Sequence, residues 1–158
     1  RQTRVGRGNR DFRLFKFRSM RPDSDRLGLI TIGGHDPRVT RSGYYIRKYK
    51  LDEFPQLINV FLGDMSLVGP RPEVRKYVDL YTPEQMRVLD VRPGITSLAS
   101  IRYRNENDIL AAADDPDRAY IEQVMPDKLA IDLEYVGKAN LRSDIALIFS
   151  TFREIIAK

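Results

Sequence analysis

Pro55 limits this chain more than any other single residue. A proline has no N–H to give and tolerates only the first turn inside a helix. Around it Phe54, Leu57, Ile58, Phe61 and Leu62 fall at i, i+3, i+4, i+7 and i+8, the spacing of one apolar helix face. Gly63 is a natural stop. A short amphipathic helix with Pro55 in its first turn is therefore predicted, and Asp52 and Glu53 stand at its N-terminus. Unpaired N–H groups and the positive end of the helix dipole favour ionised carboxylates there. An ionised, positioned Asp can act as a nucleophile, and a neighbouring Glu can hold a hard divalent cation through oxygen. The same two residues also suit a plain N-cap and a favourable first-turn charge.

Composition narrows the chemistry. The chain of 158 residues has no cysteine and a single histidine, His35. Disulfides, thiol catalysis, thiolate metal sites and multi-histidine cages are excluded, and a serine–histidine–acid triad would have to use His35. Hydrophobic residues make up 42% and charged residues 31%, the balance of a folded domain. No apolar run reaches the roughly 18 residues of a membrane span. There is no starting Met, so the chain reads as part of something longer. Residues 1–50 carry 14 Lys/Arg against 4 Asp/Glu, and the remaining 108 carry 13 against 18. A basic first third points to an anionic partner, whether phosphate, phospholipid headgroup or nucleic acid.

The remaining elements follow from local signals. Arg1 to Met20 reads as a hairpin turning through Gly6 to Arg10, with Phe12, Leu14 and Phe17 alternating against Arg13, Lys16 and Arg18. Arg21 to Thr40 reads as loop, with Gly28 and Gly33-Gly34. Ser42 opens a short helix to Lys50. Met65 to Pro72 reads as a turn region. Thr82-Pro83-Glu84-Gln85 is a capping box opening a short helix to about Asp90. Ile95 to Tyr103 reads as a strand, and Asp115-Pro116 opens another short helix. Ile145, Ile148, Phe149, Phe152, Ile155 and Ile156 give a C-terminal amphipathic helix with Ser143 as candidate cap. The expected fold is a helix-rich α+β single domain, residues 1–158, with a small N-terminal β-hairpin and this amphipathic C-terminal helix.

Basic residues flank the acidic pair: Arg38, Arg41, Arg47 and Lys48 before it, Arg71 and Arg75 after it. Arg71 lies between Pro70 and Pro72, which fix the backbone and present one guanidinium rigidly. Guanidinium forks suit phosphate. Two carboxylates, a divalent cation and several arginines are the parts of phosphoryl-type transfer, where catalysis is mostly positioning and charge neutralisation. Neither a Walker glycine loop nor G-x-G-x-x-G occurs.

In order along the chain, Lys16-Phe17-Arg18-Ser19-Met20, Asp36 to Gly43, Arg47-Lys48, Leu51 to Val60, Gly63 to Pro72 and Arg92 to Thr96 resemble the bacterial sugar transferase family, the monotopic polyprenyl-phosphate phosphoglycosyl transferases. The resemblance implies transfer of sugar-1-phosphate from a UDP-sugar to polyprenyl phosphate, with UMP leaving and an aspartyl-phosphosugar between the two steps. This is the first step of cell-surface polysaccharide or glycoconjugate assembly, lipopolysaccharide and exopolysaccharide included. It implies Asp52 as nucleophile, Glu53 as its catalytic partner and ligand of a Mg2+ cofactor, and Lys16, Arg47, Arg71 and Arg104 around the phosphates. Asp132 and Asp144 match two further family acids, assigned with them to substrate. The implied setting is the cytoplasmic face of the bacterial inner membrane, with an anionic membrane surface as partner and no nucleic acid. The family's N-terminal re-entrant membrane helix is absent from this chain. Departures are Ser97 where Gly is common, Ser100 where Gln is common, and Ile101 to Asn105. The segment Asn105 to Lys128 is longer than in the smallest members and is a candidate for setting sugar choice. A competing reading is a basic lipid- or nucleic-acid-binding module without catalysis, resting on the charge asymmetry and on aromatics interleaved with arginine from Phe12 to Arg18.

Overall fold

The structure, a computed structural model, describes residues 1–24 and 36–156. The loop expected around Gly28, Gly33-Gly34 and His35 lies outside the described residues, as do the side chains of Ile155 and Ile156. The fold is α+β and mostly helical, as expected. Strands β1 (Gln2–Val5) and β2 (Asp11–Leu14) form the hairpin, antiparallel, with Gln2 opposite Leu14 and Val5 opposite Asp11. A single helical turn, Arg7–Asn9, joins them. β2 stops at Leu14 rather than Phe17, because the next amides find other partners. The Phe15 N–H donates to Asn59 Oδ1 at 2.9 Å and the Phe17 N–H to the Asp52 carbonyl at 3.0 Å. The chain thus leaves the hairpin and attaches itself to the segment carrying the acidic pair.

Helix α1 (Arg41–Lys48) is opened by Thr40, not Ser42: Thr40 is extended and its hydroxyl accepts from the Gly43 N–H at 2.9 Å. A tight turn, Leu51–Glu53, leads into α2 (Gln56–Leu62). Pro55 takes the cap position, and Gly63 ends the helix at φ 84°, a left-handed conformation that glycine adopts without steric cost. Asp52 and Glu53 therefore lie in the turn before α2 and do not cap it.

The region expected as plain turn holds β3 (Ser66–Val68), which pairs in parallel with β4 (Gly94–Thr96). Between them lie α3 (Arg75–Val78) and the tight helical turn Gln85–Asp90. The capping box before that turn forms as read: the Thr82 N–H donates to Gln85 Oε1 and the Gln85 N–H to the Thr82 hydroxyl. The strand expected from Ile95 to Tyr103 is a correction. Only Gly94–Thr96 is strand, and α4 (Leu98–Arg102) follows, because buried Ser97 accepts from the Ser100 N–H and caps a helix.

Then come α5 (Glu106–Ala111) and α6 (Pro116–Ala119), the latter capped by Asp115 as expected. A wide helical turn, Tyr120–Val124, continues into α7 (Met125–Lys138), which sequence reading missed. Pro126, second in α7, lacks an N–H and reads as a breaker, but the wide turn before it absorbs the lost rung. Helix α8 (Leu141–Ile156) starts at Asn140, whose side chain accepts from the Ser143 N–H, so Asn140 rather than Ser143 supplies the cap. The main apolar core gathers Tyr77, Val88, Leu110, Tyr120, Val124, Met125 and Leu129.

Helix α2 inverts the usual arrangement. An amphipathic helix ordinarily turns its apolar face to the core. Here Phe54, Leu57, Ile58 and Leu62 are exposed and Phe61 is 90% exposed, while Gln56 (2%) and Asn59 (0%) are buried. Asn59 is the anchor: Oδ1 takes the Phe15 N–H, and Nδ2 donates to the Arg13 carbonyl at 2.9 Å and to Asp64 Oδ2 at 3.3 Å. Asn59→Ala strands two backbone groups and is expected to cost about 2–4 kcal/mol. Leu57→Ala should cost less than about 1 kcal/mol, against the roughly 2–5 kcal/mol of a buried leucine. Urea unfolding of both variants checks this, and a larger loss in Leu57→Ala than in Asn59→Ala would reverse the assignment.

Candidate active site

Three segments meet around the acidic pair. The first is the strand extension carrying Lys16, fixed by the hydrogen bonds of its neighbours Phe15 and Phe17. Its ammonium lies 2.9 Å from Asp52 Oδ2 and 4.0 Å from Glu53 Oε1. The second is the turn Leu51–Glu53, in which both carboxylates are buried. Asp52 Oδ1 is buried with no hydrogen-bond partner. Buried oxygens are normally satisfied; among the described residues this one and Asp132 Oδ1 are the buried carboxylate oxygens that are not.

The third segment is Gly69 to Pro72. Gly69 and Gly94 let two backbones touch: a Cβ on Gly69 would lie 2.6 Å from the Arg92 carbonyl, and one on Gly94 would lie 2.2 Å from the Gly69 nitrogen. The Gly94 N–H donates to the Pro70 carbonyl at 2.9 Å, fixing the strip from which Arg71 reaches back. Arg71 grips Glu53 with both arms of its fork, Nη2 to Oε1 at 2.6 Å and Nη1 to Oε2 at 3.4 Å. Glu73 anchors the far side of the strip. It accepts from Arg4 of β1 and the Val74 N–H, and from the Tyr120 hydroxyl.

Electrostatics follow the contacts. Burial alone would raise the Glu53 pKa, but Arg71, then Lys50 and Lys16, overcome it and hold it at about 2. Glu53 in turn raises the Arg71 guanidinium above its ordinary value. The open pocket above the acidic pair has a volume of about 390 Å3 and is lined by Lys16, Arg47, Lys50, Asp52, Glu53, Arg71 and Arg104 among others. Six of the eight predicted site residues thus come together: Lys16, Arg47, Asp52, Glu53, Arg71 and Arg104. Arg104 also pairs with Glu154 of α8.

Two predicted residues do not line this pocket. Asp132 lies on α7, buried, with no hydrogen-bond partner for Oδ1, and the backbone N–H groups of Ala99 and Arg71 and the Ser97 hydroxyl act on its charge. Burial raises its pKa to about 6 against the pull of Lys128 and those donors. Asp144 sits at the start of α8 and accepts from the Tyr135 hydroxyl. Sequence reading missed Lys50, and also Glu106 and Lys128, which pair across the far wall at 2.6 Å. Lys50 carried one legible signal: a lysine stands where the chain must turn sharply between a helix and the acidic pair.

Comparison with known proteins identifies a family. The bacterial sugar transferase family matches residues 1–158, and the chain belongs to that family. A protein of Aeromonas hydrophila named UDP-N-acetylgalactosamine-undecaprenyl-phosphate N-acetylgalactosaminephosphotransferase is 42% identical over 158 residues, covering 98% of this chain and 34% of its own length. Proteins named UDP-glucose:undecaprenyl-phosphate glucose-1-phosphate transferase, from Caulobacter vibrioides and Escherichia coli, are 34% and 36% identical. They cover 99% and 96% of this chain and 55% and 31% of their own lengths. The chain therefore spans between about a third and just over half of these relatives.

The two shifted acids pull stability in opposite directions with pH. Glu53 is depressed, so its contribution is complete above pH 4.5 and is lost as pH falls towards 2. Asp132 is raised, so the folded chain loses stability as pH climbs from 3.8 to about 6. Arg71→Met should move acid unfolding to higher pH, and Asp132→Asn should flatten the decline between pH 4 and 6. Unfolding followed by circular dichroism across that range tests both, and an unmoved acid limb in Arg71→Met would discard the ion-pair account.

Proposed function

We propose that this chain is the catalytic domain of a phosphoglycosyl transferase that moves sugar-1-phosphate from a UDP-sugar to a polyprenyl phosphate. The observation that carries the reading is Asp52: a buried carboxylate at the pocket, oriented through one oxygen by Lys16 and free of any capping duty. In the first step an Asp52 oxygen attacks the sugar-bearing phosphorus of the diphosphate. A P–O bond to Asp52 forms, the P–O bond to the bridging oxygen breaks, and UMP leaves with that electron pair. In the second step a phosphate oxygen of the lipid attacks the same phosphorus, and the Asp52 carboxylate leaves. Neither step needs a net proton transfer. Arg71, Arg47 and Lys16 offset the phosphate charge.

Mg2+ fits the donor set with one condition. The available protein ligands are carboxylate oxygens, few in number, which suits a cation that keeps substrate oxygens and water in its shell. Among the described residues no cluster of three or more acidic or histidine ligands exists, so phosphate must complete the site. Glu53 would share its carboxylate with Arg71, and Asp52 Oδ1 has no hydrogen-bond partner. When bound, Mg2+ would neutralise diphosphate charge.

A membrane surface fits the exposed apolar faces. Both α2 and α8 pack beside β3, and Leu57 and Phe61 on one with Phe149 and Phe152 on the other stay exposed. No helix among the described residues is long and apolar enough to cross a membrane, so these faces suit resting on one.

Two experiments test the reading. Incubating the full-length protein with UDP-sugar and Mg2+ but no lipid acceptor should add one sugar-phosphate to its intact mass. Asp52→Asn should abolish the adduct and lower turnover by several orders of magnitude, while a persisting adduct would refute the nucleophile. Glu53→Gln should remove Mg2+-dependent rate. In flotation with anionic liposomes, Phe61→Asp combined with Phe149→Asp should reduce recovery of this domain; unchanged recovery would remove these faces from the interface.

A further inference from the structure

Lys50 sits where a side chain is costly. It follows α1, and its N–H donates to the Arg47 carbonyl at 3.1 Å. Its own carbonyl accepts from Glu53 at 3.2 Å, starting the turn that holds the acidic pair. The backbone is left-handed there, φ 56° and ψ 18°, the conformation in which helices often end and which favours Gly or Asn. The two other non-glycine residues with positive φ among those described are Asn9 and Asp23, both of types that tolerate it. A lysine held there for its backbone alone would be a poor choice, and strained residues concentrate at functional sites.

The charges around the pocket give that lysine a task. Lys16 is taken by Asp52, Arg71 by Glu53, Arg104 by Glu154 and Lys128 by Glu106. Lys48 lies over the Tyr49 ring. Lys50 lines the same pocket, and no carboxylate among the described residues lies within 4 Å of its ammonium. Lys50 is exposed at this pocket; Glu53 attracts its charge, and the cations Arg71 and Lys16 repel it. An anion entering the pocket would relieve the repulsion among these three cations.

We propose that Lys50 is a phosphate-binding residue of this pocket, contacting an oxyanion of the substrate handled at Asp52. This rests on the transferase reading above for the identity of the substrate, and on the pocket's own charges for the phosphate. Two phosphates could use it in turn, the donor's diphosphate and the acceptor's monophosphate.

The test uses the full-length protein and Lys50→Gly, Lys50→Asn and Lys50→Arg. Gly and Asn suit the backbone and remove the charge; Arg keeps the charge at the same backbone cost. Thermal unfolding should show Lys50→Gly and Lys50→Asn as stable as the parent or more so. UDP affinity by calorimetry, or the KM of donor or acceptor, should weaken by about tenfold or more in both, with Lys50→Arg close to the parent. UMP release without acceptor isolates the donor arm, and acceptor-dependent discharge isolates the other. Unchanged affinity and KM in Lys50→Gly, or an equal loss in Lys50→Arg, would overturn the proposal. A parent protein that binds UDP through Lys50 yet never releases UMP would refute the transferase reading and leave the phosphate site standing.

Discussion

The pair between Glu53 and Arg71 ties the site together. A carboxylate buried in the turn before α2 pays a desolvation cost that only a close, well-oriented counter-charge offsets. Arg71 supplies it as a two-armed contact, and everything that aims Arg71 serves the pair. Pro70 and Pro72 stiffen its backbone. The touching backbones at Gly69 and Gly94 fix where that strip runs, and Glu73 fastens it to β1 and to the helical half through Arg4 and Tyr120. The pair therefore joins the hairpin, the short parallel sheet and the helical half at one point. Asp52, its neighbour, is held by a contact of its own, Oδ2 to the Lys16 ammonium at 2.9 Å.

The other device is the use of polar side chains as interior anchors under an apolar outer face. In α2 the buried contacts are made by Asn59 and by the packing of Gln56, and the hydrophobic stripe faces outward. In water that stripe gains nothing. It suits a chain that meets a second apolar phase, and the partly bare face of α8, which also packs beside β3, suits the same one. Periodicity in a sequence identifies an apolar face, but not what covers it, since a core and a membrane surface demand the same spacing.

Much of the chain was legible for local reasons. The hairpin, the stop at Gly63, the Thr82 box and the start at Asp115 are each written within a few residues, and all four formed. The failures came where local signals competed. The β-favouring run after Ile95 lost to the cap at Ser97, and Pro126 hid a long helix behind a wide turn that absorbs it. Arg47, Asp52 and Glu53 converged because they lie close along the chain, and Arg71 because two prolines present it, whereas Lys16 and Arg104 arrive from distant segments. Asp132 and Asp144 depend on how α7 and α8 lie against the rest, a tertiary fact with no short-range signature.

The charge asymmetry of the sequence becomes the two walls of the pocket. The lining takes Lys16, Arg47, Lys48 and Lys50 from the basic first third, and residues of α4 and α5 with Lys128 from the acidic remainder. The basic wall does more than attract an anion. Asp52 and Glu53 would repel a diphosphate by themselves, and Lys16 and Arg71 cancel that repulsion only by being consumed in ion pairs. Attraction of a phosphate, as the proposed transfer requires, needs cationic charge beyond the pairs. A first third richer in lysine and arginine than the acidic pair needs is what such chemistry calls for, and the excess stands beside the two residues it serves.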